Sequence, residues 1–222
     1  MDWTNEFGVT LSVDATGHQH RGAGEGGGQF IKKDNSNDDE DYLKSLQKKY
    51  IDSLSDNQLT AITSYVNESG YDVNRGLRTS NVPEWIRDID STIHAAPKLT
   101  REVTVSRGMG DYTPYAKYGV GDTIEESGFT STSLNKDLIA SEFGSKGGMV
   151  MTITLPPGTS ALMVGGDEEI TGEDVKEVLL PRGTKFRVSS IKDIGGVRYL
   201  RAEVVLGDPV STPKPPRLRM EG

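Results

Sequence analysis

Gly128-Phe129-Thr130-Ser131-Thr132-Ser133 is the stretch of sequence that most clearly indicates the fold. A glycine followed by an aromatic residue and a run of β-branched and hydroxyl residues is typical of a short strand. Alternation along a strand places Ser131 and Ser133 on one face and Thr132 on the other. Hydroxyls on one face can hold a carboxylate or a ribose, and they are equally common on a strand that faces water.

Further strands are predicted on both sides of this stretch, since short apolar and β-branched runs alternate with turn formers. Pro156-Pro157-Gly158 and Pro181-Arg182-Gly183 are two of these turns. The strands are predicted over 103–107, 128–133, 148–155, 161–164, 177–180, 185–190 and 197–206. One helix lies among them, with Asn135 as its cap and Leu138, Ile139 and Phe143 along it.

The region before residue 102 has the three- and four-residue spacing of amphipathic helices instead. Ser55 and Gln58 resemble a capping box that opens the second of three helices. Pro83 suits the first turn of the third. The apolar positions are Tyr42, Leu43, Leu46, Tyr50, Ile51 and Leu54, then Leu59, Ile62 and Val66, then Trp85, Ile86, Ile89 and Ile93. This order predicts an α+β fold, with N-terminal helices packed on two mostly antiparallel β-sheets.

Both ends of the chain differ in composition from this core. Residues 1–40 contain seven glycines and eight acidic against three basic residues, which predicts a flexible Gly-rich acidic arm. Residues 207–222 contain four prolines with Lys214, Arg217 and Arg219, which predicts an extended, mildly basic tail. The catalytic domain is therefore expected over 41–206.

Composition excludes several classes of function. The formal net charge of −8 gives no global basic field that would recruit nucleic acid or an acidic membrane. The sequence has no cysteine, so disulfides and thiolate chemistry are excluded, and three histidines are too few to suggest a metal site. No Sec-type signal begins the sequence, and no apolar run approaches the ~20 residues needed to span a bilayer, so no membrane partner is expected.

Three segments carry candidate chemistry. Arg107-Gly108 ends a predicted strand, where a guanidinium fork suits a diphosphate and a glycine lets backbone approach a ligand. The second segment is the Ser-Thr-Ser run at 131–133, and the third is Glu177, which opens an apolar strand. Taken singly, each also fits an ordinary solvated strand end.

Their order resembles the arginine–serine–glutamate pattern of bacterial ADP-ribosylating exoenzymes, the mono-ADP-ribosyltransferase toxins. Arg107-Gly108 is followed about two dozen residues later by Phe129-Thr130-Ser131-Thr132-Ser133, and Glu177-Val178-Leu179-Leu180-Pro181 closes the set. Residues 71–78 resemble the helix that these toxins place beside the NAD cleft, and 143–159 resemble the segment after their serine strand. The resemblance covers about 42–206 and implies the ADP-ribosyltransferase toxin-like fold.

The resemblance implies NAD as co-substrate, no metal, and Arg107, Ser131 and Glu177 as catalytic residues. Arg107 would hold the phosphates, and the Gly108 backbone would hold the nicotinamide amide. Ser131 would orient Glu177, which would accept from the ribose 2′-hydroxyl and place its charge beside the forming cation.

Further NAD-binding positions implied by the resemblance surround this core. Thr132 would support the serine strand, and Phe143 would stack on the nicotinamide. Tyr71 and Asn74 would line the cleft.

The sequence departs from the family at the position that helps choose the acceptor. Many relatives have Glu or Gln two residues before the catalytic glutamate, whereas this chain has Val175, with Glu173 and Asp174 nearby. One of these acids takes that role, the acceptor differs, or the protein mostly hydrolyses NAD. The expected partner is a host protein of unknown identity; a nucleic-acid acceptor is less favoured because of the net charge.

Two other functions stay open at this stage. One is an NAD glycohydrolase with little transfer, and the other is a catalytically silent phage structural or interaction module, which the unusual tails suggest. Location in the host cytoplasm after delivery, as a secreted effector, or on a virion fits these possibilities.

Overall fold

In the computed structural model of the chain, the described residues are 36–66, 73, 74, 77, 85–164 and 176–207, together with the short strands at 3–4, 10–13 and 19–21. The helices are α1 (Ser36–Ile51), α2 (Asp56–Ser64), α3 (Ile86–Ala95) and α4 (Lys136–Phe143). A short 3-10 turn spans Thr113–Tyr115. None of the helices in this part of the chain is long and apolar enough to cross a bilayer.

Local capping fixes two of the helix starts. Ser55 and Gln58 form the expected capping box at α2, because the Ser55 side chain accepts from the Gln58 N–H while the Gln58 side chain accepts from the Ser55 N–H. Asn135 caps α4 by accepting from Leu138 N at 3.0 Å. Both caps were predicted from the sequence, and both are confirmed.

Eleven strands lie in the described residues. Three of them, β1 (Trp3–Thr4), β2 (Thr10–Val13) and β3 (Gln19–Arg21), pair only with each other, within the segment expected to be an arm. The others are β4 (Val103–Met109), β5 (Thr123–Glu126), β6 (Thr130–Ser133), β7 (Met149–Leu155), β8 (Leu162–Met163), β9 (Glu177–Leu180), β10 (Thr184–Ile194) and β11 (Val197–Val204). The sequence did not predict β5 or the 3-10 turn.

The eight later strands are hydrogen-bonded in the order β5-β10-β11-β7-β4-β6-β9-β8, and all pairs except β11–β7 are antiparallel. The α+β class is therefore confirmed, but the strands form one sheet where two were expected. Strands β4 and β6, near the middle of the sheet, are joined by the single pair Ser106↔Ser133. So short a pairing leaves no sequence signal, so the sequence could not show that the strands on its two sides belong to one sheet.

Two apolar clusters hold the helices on this sheet. One contains Leu43 of α1 with residues of β4, β7, β10 and β11. The other packs α2 and α3 against Phe129, Leu162 and Leu179. Strand β9 contributes to both, since Leu179 lies in the second cluster while Val178 and Leu180 lie in the first. Burial on both faces explains its continuous apolar sequence.

The domain boundaries at residues 40 and 206 stay predictions. Helix α1 begins at Ser36, inside the segment assigned to the arm, and β11 ends at Val204. Of the basic tail expected over 207–222, all but residue 207 lies outside the described residues.

Candidate active site

Arg107, Ser131 and Glu177 lie on three neighbouring strands, β4, β6 and β9. Ser133 is the partner of Ser106 on one side and of Glu177 on the other. Arg107 directly follows Ser106 in β4. Ser131 lies two residues before Ser133 and on the same face of β6. The topology thus places three residues that are far apart in the sequence on neighbouring strands.

Glu177 is a half-buried carboxyl at the first position of β9. Burial raises its pKa, and a hydrogen bond with the Ser131 side chain acts in the opposite direction by favouring the charged form. An ionised carboxylate can only accept, so Ser131 is the donor in this bond. The hydrogen bond therefore joins Ser131 to Glu177 and offsets part of the rise in the pKa of Glu177.

Tyr65, which directly follows α2, is a buried member of the same network that sequence reasoning missed. Its hydroxyl lies 3.5 Å from Ser131 Oγ and accepts from Asn74 Nδ2 at 2.8 Å. Burial raises the pKa of Tyr65; the hydrogen bonds and the charge of Arg107 oppose the shift, and the charge of Glu177 adds to it. Its phenol stays protonated and donates a hydrogen bond towards Ser131 Oγ, because the Ser131 hydroxyl uses its own hydrogen in the hydrogen bond to Glu177. The sequence signal was hidden because Tyr65, three residues after Ile62, fits an ordinary helical core position.

Asn74, predicted to line the cleft, instead holds the start of the serine strand. Its amide donates to the Phe129 carbonyl at 3.1 Å and accepts from the Phe129 N–H at 2.8 Å, and its second donor hydrogen goes to Tyr65. All polar groups of the side chain except one acceptor lone pair are used, so Asn74 is a positioning residue. Tyr71, also predicted for the cleft, lies outside the described residues.

Arg107 has a partly satisfied guanidinium group. Its Nη2 lies 3.6 Å from Glu126 Oε2, and Tyr115 Oη donates to the same carboxylate oxygen at 2.7 Å. Its Nη1 is buried and has no hydrogen-bond partner among the described residues. A buried donor without a partner is unusual, and a phosphate oxygen would satisfy it. Glu126 was missed by sequence reasoning, since the polar segment at 123–126 was not predicted as a strand.

Gly108 allows an aromatic ring to lie on the backbone of β4. A Cβ at Gly108 would lie 1.9 Å from Cδ2 and 2.2 Å from Cγ of Phe143, the last residue of α4. The two residues that were predicted to hold the nicotinamide are therefore in direct contact. Phe143 is half-buried, so part of its ring is open to a ligand.

The contact predicts a specific effect for Gly108→Ala. The new methyl group must displace the Phe143 ring, and we expect KM for NAD to rise roughly tenfold, equivalent to about 1.4 kcal/mol. Gly110→Ala is the matched control, because a Cβ there meets nothing within 4 Å; its KM should stay within about twofold of wild type. Steady-state kinetics of nicotinamide release measure both, and equal KM values for the two variants would contradict the contact's role.

Thr132 and Ser133 are engaged in the fold. The Thr132 side chain is buried, and its hydroxyl donates to the Val178 carbonyl at 2.6 Å, so the structure does not bring it to the cleft as predicted for a cofactor-binding residue. This follows from alternation, which turns Thr132 away from Ser131. Ser133 Oγ accepts from Asn135 N at 2.8 Å and shapes the turn into α4.

No group of three or more His, Asp or Glu side chains in the described part of the chain is arranged to hold a metal ion. Val175, Glu173 and Asp174, on which the choice of acceptor depends, lie outside that part.

Comparison with known structures shows the same fold in bacterial toxins. Plx2a, an ADP-ribosyltransferase toxin from Paenibacillus larvae, is 24% identical with a TM-score of 0.64, over 78% of this chain and 97% of that chain. The C3 exoenzyme of Clostridium limosum is 19% identical with a TM-score of 0.64, over 80% and 98% of the two chains. C3stau2 from S. aureus, solved with NAD, is 22% identical with a TM-score of 0.59, over 81% and 98%.

The sequence itself also matches a family. No curated protein sequence matches the chain. The profile of the family described as ADP-ribosyltransferase exoenzyme, however, matches residues 39–206, which is most of the chain and includes all three strands of the site. The chain belongs to the ADP-ribosyltransferase exoenzyme family.

Proposed function

We propose that the protein is an NAD-dependent mono-ADP-ribosyltransferase that cleaves the nicotinamide–ribose bond and transfers ADP-ribose to a host protein, as a glycosyltransferase acting after delivery into a host cell. The observation that carries this proposal is the presence, within three neighbouring strands, of a carboxylate hydrogen-bonded by a serine, Glu177, and of an arginine, Arg107, whose buried Nη1 donor is unused among the described residues. Both are needed for a substrate with a diphosphate at one end and a cation-forming ribose at the other.

Different residues would bind different parts of the dinucleotide. Arg107 Nη1 would donate to a phosphate oxygen, while Glu126 and Tyr115 keep the guanidinium in place. Phe143 would stack on the nicotinamide, and the Gly108 backbone beside it would bind the amide. These contacts fix the ribose in front of Glu177.

Bond cleavage would depend on Glu177. The bonding electron pair leaves with nicotinamide, and positive charge develops on the ribose carbon and ring oxygen. The Glu177 carboxylate accepts from the ribose 2′-hydroxyl and stabilises that charge. A nucleophilic atom of the acceptor then attacks the ribose carbon and loses its proton.

NAD as the substrate is further supported by C3stau2, which has this fold and was solved with NAD. A second function, NAD hydrolysis with little transfer, is favoured by one observation. Val175 occupies the position where relatives have the acceptor-selecting Glu or Gln. A valine cannot hydrogen-bond or deprotonate an incoming side chain, so water would compete better as the acceptor.

Labelling distinguishes the two functions. Purified protein is incubated with NAD labelled on its adenylate part, with and without a eukaryotic or bacterial lysate, and both nicotinamide release and labelled macromolecules are measured. A transferase gives a labelled protein band and faster release with lysate. Equal release and no band would support the hydrolase, and label that resists protease but not nuclease would indicate a nucleic-acid acceptor.

The hydrogen bond between Ser131 and Glu177 predicts a change in pH dependence. Because Glu177 works as a carboxylate and burial raises its pKa, kcat/KM should fall with decreasing pH above the usual range of a glutamate. Ser131→Ala removes the bond that lowers this pKa, so the acid limb should move to higher pH. Ser189→Ala, which removes an exposed strand hydroxyl, should leave the profile unchanged. An unchanged or lower acid limb in Ser131→Ala would contradict the assignment.

A further inference from the structure

Lys176 links the residue before Glu177 to helix α1. Its Nζ lies 2.9 Å from Glu40 Oε2 and donates to Asn37 Oδ1 at 3.0 Å. Only 13% of the Lys176 side chain and 14% of the Glu40 side chain are exposed, so this ion pair is shielded from solvent. Pairs so shielded are much less screened than ordinary surface pairs, and they fix geometry more strongly.

The backbone of Lys176 has an unfavourable conformation for its residue type. Its φ is 45°, and within the described residues it is the one non-glycine residue with a positive φ. Glycine would adopt this conformation without the penalty that a Cβ brings. Conformations of this kind persist where surrounding contacts enforce them, and they concentrate at functional sites. A lysine here therefore indicates that its side chain is needed.

Glu40 is a firm anchor because α1 is fixed on the sheet. Leu43 is fully buried, and the buried Gln47 donates to the Ala161 carbonyl at 2.8 Å and accepts from Met163 N at 2.9 Å. Ala161 directly precedes β8 and Met163 is its second residue, and β8 pairs with β9. Helix α1 thus contacts β9 in two ways. It is hydrogen-bonded to β8, which pairs with β9, and it binds Lys176, the residue directly before β9.

The charges around Glu40 also favour the contact between α1 and Lys176. Lys44 Nζ lies 2.6 Å from Glu40 Oε1, so the carboxylate is held between two ammonium groups. Burial alone raises the pKa of Glu40, but the hydrogen bonds and charges of Lys44 and Lys176 together bring it below the ordinary value. The two ammonium groups therefore favour the ionised form of Glu40.

We propose that Lys176 is a positioning residue that sets the direction of the Glu177 side chain through its ion pair with Glu40. One peptide joins the two residues, and the Lys176 carbonyl accepts from Leu134 N at 3.2 Å, beyond the last pair of β6 and β9. The Lys176 side chain is bound to α1, and its carbonyl is bound to Leu134, directly after the serine strand. These two contacts fix the backbone before Glu177 so that the Glu177 side chain points towards Ser131. The inference rests on the proposed function, because it assigns a role in NAD cleavage.

The test separates positioning from folding by using a variant that relieves the backbone. Lys176→Gly removes the side chain but accepts the positive φ, and Glu40 keeps Lys44 as a cation, so its Tm should fall only slightly. Its kcat for nicotinamide release should nevertheless fall about tenfold at an unchanged KM for NAD. Glu40→Gln should lower kcat in the same way, and Lys176→Arg, which keeps the cation, should stay within about twofold of wild type. Lys44→Met is the matched control: it removes the other cation at Glu40, far from Glu177 in the sequence, and kcat should be near wild type.

A second measurement does not depend on activity. Hydrogen exchange at the Leu134 amide should be faster in Lys176→Gly than in wild type, because its acceptor is no longer held. Values of kcat within twofold of wild type for both Lys176→Gly and Glu40→Gln, or an equal loss in Lys44→Met, would overturn the role of Lys176 while leaving the proposed function intact. Wild-type protein that releases no nicotinamide would instead refute the proposed function, and this inference with it.

Discussion

Replacing Glu177 with glutamine is expected to lower kcat for NAD cleavage about a thousandfold while the Kd for NAD changes less than about threefold. The amide keeps the shape of the carboxyl group and can still accept from Ser131 and from a ribose hydroxyl. It cannot supply the negative charge that stabilises the forming cation. Nicotinamide release and isothermal titration with NAD measure the two quantities.

Stability gives this variant an internal check. Burial raises the pKa of Glu177, so the folded protein favours the protonated form of this side chain. The stability that the protonated form contributes is present at low pH and is lost as the pH rises through the folded-state pKa. Glu177→Gln should therefore melt at or above the wild-type Tm at pH 8, with a difference that shrinks towards pH 4. Glu203→Gln, at an exposed position of β11, is the matched control and should have wild-type kcat. Wild-type turnover by Glu177→Gln would refute the catalytic assignment.

Replacing Arg107 with methionine is expected to affect both binding and folding. Loss of the guanidinium removes the donor proposed for a phosphate oxygen, which should raise the Kd for NAD about a hundredfold, or about 2.8 kcal/mol. It also takes one cation away from the buried carboxylate of Glu126, at a cost of about 3 kcal/mol in the free energy of unfolding. For a chain of this size, that corresponds to a fall in Tm of roughly 10 °C.

A double variant separates the two effects. In Arg107→Met/Glu126→Gln the buried charge is removed together with its partner, and Tyr115 can still donate to the amide oxygen. Most of the lost Tm should return, whereas the Kd for NAD should stay as weak as in Arg107→Met. Recovery of NAD binding in the double variant would show that Arg107 acts on the fold rather than on the phosphates.

The parts of this protein that could be predicted from sequence are those that local interactions determine. The capping box of Ser55 and Gln58 and the Asn135 cap each depend on residues at most three positions apart. Strand β9 was predicted with its observed bounds, because Glu177 begins an apolar run that ends at the turn Pro181-Arg182-Gly183. The three site residues could be named because their order along the chain resembles a family, and the sheet brings them onto neighbouring strands.

The missed features depend on contacts between distant residues. Tyr65 has the spacing of a helical core residue, and its role comes from Ser131, 66 positions away. Asn74 resembles a cleft residue in sequence, yet its amide is bound to the Phe129 backbone 55 positions away. Glu126 lies in a polar strand that becomes buried only when Arg107 and Tyr115 meet it. Alternation alone indicated that Thr132 faces away from Ser131, and the buried hydrogen bond of Thr132 agrees with that simple rule.

The most direct test of the proposed active site is a crystal structure of Glu177→Gln with NAD, since the variant should bind NAD without consuming it. We expect a pyrophosphate oxygen about 3 Å from Arg107 Nη1, nicotinamide against Phe143, and the ribose 2′-hydroxyl within hydrogen-bond distance of residue 177. NAD bound elsewhere, or no NAD bound at concentrations well above the wild-type KM, would contradict it.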